Sequence, residues 1–231
     1  MSRRALREAR RYLLGGLLLE LALGLLGLRS RGLALVASTA ATLFLFRDPA
    51  REIDPDEAEV YAAADGTIVR VDRVDDPWIH PGAALRVSTF LSLHNVHVTR
   101  SPVRGAVTAT EDLTGPFRPA FLPRAEENAR RRLAIDGPRG RVVVVQAAGL
   151  VARRISLWAA VADELAAGQR LGLIHLGSRT DVLLPEDAAD ACVVPGERVR
   201  AGQTPIARYR DAVPGGPSDE AVHDRETEAA R

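Results

Sequence analysis

The strongest constraint in this sequence is a break at residue 46. Before it the chain carries two long apolar runs; after it, no stretch keeps a helical apolar period for long. Residues 12–28 are apolar except for Glu20, and residues 32–46 are softened only by Ser38, Thr39 and Thr42. Arg29-Ser30-Arg31 separates the runs, and Arg3, Arg4, Arg7, Arg10 and Arg11 precede the first. Each run is short of the roughly 20 residues that cross a bilayer as a straight helix. A short helical hairpin and a pair of helices lying in the interface both fit. A cleaved signal peptide lacks a small-x-small site, and a buried helix of a soluble core is the bland alternative. Arg on the outer flanks favours both ends being cytoplasmic. Residues 1–46 are thus expected to be an α-helical, membrane-associated segment.

From Arg47 onward, short strand-like runs alternate with Gly, Pro and Asp. Residues 67–71, 85–91, 96–99, 106–110, 141–145 and 181–184 read as strands. Residues 124–133 and 158–167 read as helical by composition alone. Residues 194–203 repeat Val and Gly in a rhythm that suits two short strands about a tight bend. The fold class expected for residues 47–211 is mainly β (α+β). Residues 212–231, with two Pro, two Gly and mixed charge, read as a disordered tail.

Composition closes off several chemistries. All 31 basic residues are Arg, so no Lys can carry pyridoxal phosphate, biotin or lipoate, and no phosphate-loop Lys is present. Codon bias in a GC-rich genome explains such a bias most simply. A net charge of +1 indicates no broad basic face and no nucleic-acid partner. The single Cys192 excludes an intrachain disulfide and a multi-Cys metal site.

Five His remain: His80, His94, His97, His175 and His223, the last in the tail. His94-Asn95-Val96-His97 is the densest group. On an extended strand the two rings point to opposite faces; a turn at Asn95 would let them converge. A zinc site would need Asp65 or His175 as a third ligand, and no His-x-His pair supports one. Asp65 before Gly66 reads as a turn former, or as an acid that orients a His. In Gly177-Ser178 the Gly permits a strained peptide, and the hydroxyl that follows can attack the preceding carbonyl if a base takes its proton.

These pieces, in order, resemble the phosphatidylserine decarboxylase proenzymes. Phe46-Arg47-Asp48-Pro49-Ala50-Arg51 resembles their F-R-D-P-x-R entry, and Ala64-Asp65-Gly66 their A-D-G. Residues 90–105 resemble F-x-S-x-x-N-V-H-V-x-R-x-P-V-x-G. Residues 144–149 and 152–155 resemble V-Q-x-A-G and A-R-R-I. Residues 168–185 are similar to G-x-R-x-G-x-I-x-x-G-S-R-x-D-V-x-x-P. The resemblance runs from residue 46 to about 207. Departures are His175, where relatives often carry Arg, and Glu127-Asn128-Ala129-Arg130 in place of N-E-R-N.

The resemblance implies a short-form proenzyme with a fold like the barrel-sandwich hybrids of carrier domains. It implies self-cleavage between Gly177 and Ser178, with Ser178 as nucleophile, His97 as base and Asp65 as its orienter. A covalent pyruvoyl group would form from Ser178 and serve as the only cofactor, with no metal. His94 is the candidate proton donor in decarboxylation, and Asn128 and Arg130 are candidate substrate contacts. The implied partners are phosphatidylserine in the membrane, the chain's own second fragment and a second copy of the chain. The implied place is the cell membrane, with the catalytic domain on the cytoplasmic side. Alternatives are a zinc peptidase on a related scaffold, a membrane-tethered carrier module, and decarboxylation of an archaeol-based serine lipid.

Overall fold

The computed structural model describes residues 2–28, 32–79, 83–118, 126–150, 154–175 and 177–210. Residues 29–31, His80 and the expected 212–231 tail with His223 lie outside the described residues.

Two antiparallel helices open the chain, α1 (Arg3–Leu25) and α2 (Leu33–Leu45). Ser2 caps α1, its hydroxyl accepting from the Ala5 N–H at 3.2 Å. Glu20, the one charge in the first apolar run, ties the pair together. Its carboxylate accepts from Gly32 N–H at 2.9 Å and Leu35 N–H at 3.3 Å, two of the unpaired donors that start α2. The helices close at Gly16, where a side chain would run into Ser38. Leu14, Leu17, Leu18, Leu21 and Leu25 on α1, and Leu33, Val36, Leu43 and Phe44 on α2, are exposed. Among the described residues no helix is long and apolar enough to cross a membrane.

The body is β, as expected. Its strands are β1 (Glu59–Tyr61), β2 (Gly66–Asp75), β3 (Ala83–Leu91), β4 (Val98–Arg100), β5 (Gly105–Leu113), β6 (Arg130–Gly137) and β7 (Gly140–Ala147). They continue with β8 (Ile155–Leu157), β9 (Glu164–Leu165), β10 (Arg170–Ile174), β11 (Ser178–Pro185), β12 (Ala189–Ala191), β13 (Arg198–Val199) and β14 (Pro205–Tyr209). Eight form one sheet in the order β13-β2-β3-β11-β7-β6-β5-β9. Two three-stranded sheets, β1-β14-β12 and β4-β10-β8, complete the body.

Burial explains the sequence pattern. Val142 to Val145 shows no alternation because β7 is covered on both faces. Val142 and Val144 join Val60, Ile68, Val182 and Ile206 in the main core. Val143 and Val145 pack with Ile79, Ala84 and Leu183 on the other side. β11 lies between β3 and β7, pairing along its whole length with β3 (Ser178 with Leu91, Pro185 with Ala84).

Three local expectations fail. The described part of the expected 124–133 helix, from residue 126, is not an α-helix: from Arg130 the chain is β6, paired with β5 and β7. Arg131 meets Asp112 across the strands, and Arg132 meets Asp76 at 2.5 Å, so cross-strand pairing overrides a helical composition. Residues 158–167 are turns around β9, because Ala162 takes a left-handed φ of 74° that no helix accepts. Residues 194–203 hold only one short strand, β13, which pairs with β2, with turns at Gly196 and Gly202.

Candidate active site

Ser178 opens β11, the central strand between β3 and β7. Gly177 before it has φ +69°, the left-handed region where Gly meets no Cβ penalty. The Ser178 side chain is fully buried, and its Oγ has no hydrogen-bond partner among the described residues. Leaving a buried hydroxyl unpaired is unfavourable by about 1–3 kcal/mol, and the hydroxyls of Ser88 and Thr180 share this state; what sets Ser178 apart is the left-handed Gly before it.

His97 sits just before β4. Its carbonyl accepts from Ile174 N–H at 3.1 Å, extending the β4–β10 pairing. The segment bearing this ring is therefore zipped to the segment that leads into Gly177. His97 is buried, and neither ring nitrogen has a hydrogen-bond partner among the described residues. Burial drives its pKa from 6.5 down to about 4; Arg47 adds to this, while the Asn95 backbone and Asp65 pull it back. The imidazole is neutral at pH 7 and keeps a lone pair, the state a general base needs.

Asp65 lies within electrostatic reach of His97 but is not hydrogen-bonded to it. Its carboxylate is held by Arg51 at 2.7 Å to each oxygen and accepts from Ala201 N–H at 2.8 Å. Neighbouring Asp48 is clamped by Arg170 at 2.7 Å and faces Arg100 at 3.6 Å. The 46–51 motif thus fastens the link between hairpin and body directly onto the site.

His94 lies three residues beyond Leu91, the strand partner of Ser178, with its ring at the surface. The chain does turn at Asn95, whose N–H bonds Ser92 O at 3.0 Å, yet His94 stays exposed with Nδ1 3.1 Å from Ser92 Oγ. Arg47 donates to its carbonyl. Asn128 is buried and fully occupied: it donates to Arg118 O at 2.8 Å and Ala148 O at 2.9 Å, and accepts from Arg118 N–H at 3.0 Å. Arg130 is half-buried and donates to the Glu126 carbonyl. Among the described residues no group of three His, Cys, Asp or Glu could hold a metal, so the zinc alternative finds no ligand set there.

Gly149 carries a role that sequence reasoning missed. A Cβ there would lie 1.5 Å from the Gly177 carbonyl oxygen and 2.7 Å from its carbon. The small-residue run Ala147-Ala148-Gly149 is the signal that marks such a close approach. Asn128 holds the neighbouring Ala148 in place. A cavity of about 610 Å³ opens beside Asp65 and Val96, lined also by Arg51, Arg200 and Gln203. A larger one, of about 710 Å³, lies by Gly137 and Tyr209 at the end of the sheet away from Ser178, and is not near this chemistry.

Two buried neutral imidazoles predict a pH dependence of stability. Burial lowers His97 from 6.5 to about 4, and burial with Arg11 and Arg154 lowers His175 from 6.5 to about 3. Below pH 6.5 the unfolded chain binds more protons than the folded one, so stability is full above that pH and falls as pH drops towards 4. Urea midpoints should decline from pH 7 to 4.5, and less steeply in His175→Gln. A midpoint independent of pH across that window contradicts this reading.

Comparison with known proteins agrees with the geometry. The family described as Phosphatidylserine decarboxylase matches residues 39–207. The chain is 45% identical to the phosphatidylserine decarboxylase proenzyme of Symbiobacterium thermophilum over 180 residues, 77% of this chain and 83% of that one. It is 40% identical to the proenzyme of Carboxydothermus hydrogenoformans over 169 residues, 73% of this chain and 79% of that one. A match over most of the chain, laid across Ser178, His97, Asp65 and Gly149, establishes that this chain belongs to the phosphatidylserine decarboxylase family.

Proposed function

We propose that the chain is a proenzyme that cuts itself between Gly177 and Ser178 and then decarboxylates phosphatidylserine to phosphatidylethanolamine and CO2. The observation that carries this is the buried, unpartnered Ser178 hydroxyl after a left-handed Gly, with a neutral, buried His97 on the segment paired to β10, the strand that leads towards Gly177. His97 takes the Ser178 proton as Oγ attacks the Gly177 carbonyl and displaces the Ser178 nitrogen, giving an ester. Loss of the Ser178 α-proton then expels the Gly177 carboxylate and leaves a dehydroalanine. Its enamine form becomes an imine; one water replaces nitrogen, ammonia leaves, and a pyruvoyl group caps residue 178. Asp65 acts on His97 by charge, and Arg51 keeps that charge in place.

The two pieces stay together without a covalent link, because β11 of the light fragment pairs with β3 and β7 of the heavy one. The mature assembly is therefore a heterodimer of fragments. Once formed, the pyruvoyl ketone supplies the electron sink for loss of CO2 from the serine headgroup. The residues fit that group: position 178 is dry, and the chain has no Lys to hold an alternative carbonyl cofactor. His94 is the proton donor to the headgroup α-carbon. The cavity lined by Arg51 and Arg200 is lined also by Glu52 and Asp65, a mix of charges that suits the amine and the anionic groups of a serine headgroup. The core joining the large sheet to β1-β14-β12 is read as a barrel-sandwich arrangement.

The exposed leucines of α1 and α2 support a hairpin that lies in the membrane interface, with the N-terminal Arg cluster against anionic headgroups on the cytoplasmic side. A diacyl substrate does not leave the bilayer readily, which favours an enzyme seated on it. The protein should float with phosphatidylserine-containing liposomes, and a variant with Leu17, Leu18, Leu21 and Leu25 changed to Ser should not. Equal flotation of the two would remove this role from the hairpin.

CO2 release from phosphatidylserine vesicles tests the activity. Purified protein should release it, and hydroxylamine, which captures ketones, should stop it; no release from cleaved protein would overturn the assignment. His97→Gln should slow self-cleavage on the order of 10²–10⁴-fold, the usual contribution of a positioned base. A parental rate in that variant would assign the base elsewhere.

A further inference from the structure

The segment before the scissile bond is gripped by the N-terminal helix. His175, three residues ahead of Ser178, is 1% exposed. Its Nδ1 faces the Tyr12 hydroxyl at 3.1 Å and the Arg11 guanidinium at 3.4 Å. Arginine only donates, so Nδ1 is the acceptor and the ring proton sits on Nε2. That nitrogen faces Ser156 Oγ at 3.4 Å and the Glu8 carboxylate at 3.8 Å. Arg11 also donates to the Tyr12 hydroxyl at 2.8 Å, which frees the Tyr12 proton for His175. The rings stack: Tyr12 lies 6.0 Å from His175 and Phe46 meets it edge-on at 5.3 Å. Glu8 pairs with Arg154 at 3.3 Å, and the Arg154 carbonyl accepts from His175 N–H at 3.0 Å. Ala9 and Phe46 continue the contact onto Val96 and Leu173, the neighbours of His97 and Ile174.

This grip matters because Gly177 has no side chain to hold it in its left-handed φ of 69°, and its carbonyl is limited on one side only, where it abuts Gly149. Pairing of β11 fixes the chain at Ser178. Gly149 blocks one direction of movement, and a hold on His175 fixes the chain ahead of the peptide; misplacing a reacting carbonyl by about 1 Å is worth about 10²-fold in rate.

We propose that α1 positions the scissile peptide for self-cleavage, with Tyr12 acting through His175 as a positioning residue. This rests on the self-cleavage reading above. The test is pulse-chase synthesis of the full chain in a cell-free system, following the uncut band on denaturing gels. Tyr12→Phe keeps the ring and removes the hydroxyl; it should lengthen the cleavage half-time about tenfold, as loss of one oriented hydrogen bond does. Its melting midpoint, measured in a Ser178→Ala background, should match that of Ser178→Ala alone. His175→Leu should be slow, whereas His175→Gln, which retains an acceptor and a donor, should recover part of the rate. Cleavage of Tyr12→Phe at the parental rate overturns the proposal, as does a melting point that falls in step with the rate. If the parent chain does not cut at all, the self-cleavage reading fails and takes this one with it.

Discussion

Ser178→Ala is expected to leave one uncut chain where the parent gives two fragments, and to abolish CO2 release. The hydroxyl is both the attacking group and the source of the carbonyl that later accepts the substrate. No neighbour replaces it: β11 is buried on both faces, and the next hydroxyl on the strand, Thr180, lies three residues after Gly177. Loss of cleavage should not reflect loss of fold. Ser178 Oγ has no hydrogen-bond partner among the described residues, so removing it discards an unpaired polar atom. Ser178→Ala should therefore melt at least as high as an uncut His97→Gln chain. Two fragments from Ser178→Ala would show that a different residue attacks.

Gly149→Ala is expected to abolish cleavage for a different reason. Gly149 does not need a positive φ, so the effect is steric rather than conformational. The added carbon would sit 1.5 Å from the Gly177 oxygen. That neighbour is backbone, which cannot swing aside as a flexible side chain can. Either the Gly177 carbonyl or the 147–149 segment must move, and the second is tied down. Ala147 pairs with Arg179 and Arg130, and Ala148 N–H donates to Ala129 O at 2.9 Å. The carbonyl moves instead, out of the place it holds ahead of Ser178. A denaturing gel after overnight incubation should show only the uncut chain, with the fold intact by circular dichroism. Parental cleavage would mean that the contact is not part of the reacting geometry.

The sequence made some of this legible and hid the rest for physical reasons. The strands around Ser178 announce themselves because a Val run between Gly and Asp punctuation suits a strand covered on both faces. The helices expected at 124–133 and 158–167 were wrong because composition there was rich in Ala, Arg and Glu. Those Arg side chains instead answer Asp112 and Asp76 across the sheet, which no local window can reveal. Ser178, His97 and Asp65 stand out in the ordered motifs. That Asp65 is clasped by Arg51, and that His94 faces Ser92, depends on how the 46–51 link and the 92–95 turn fold back. The docking of Tyr12 and Glu8 onto His175 spans more than 160 positions and leaves no trace in periodicity. The absence of Lys, at first only a compositional oddity, fits a carbonyl made from the chain itself.

Intact-mass analysis of the purified protein tests the central claim most directly. The account predicts a heavy fragment of residues 1–177 and a light fragment of residues 178–231. The light one should be lighter by one ammonia than a Ser-started peptide, blocked to stepwise N-terminal degradation and reactive towards hydrazines. A single intact chain from a folded, soluble preparation, or a light fragment with a free Ser178 amine, would contradict it.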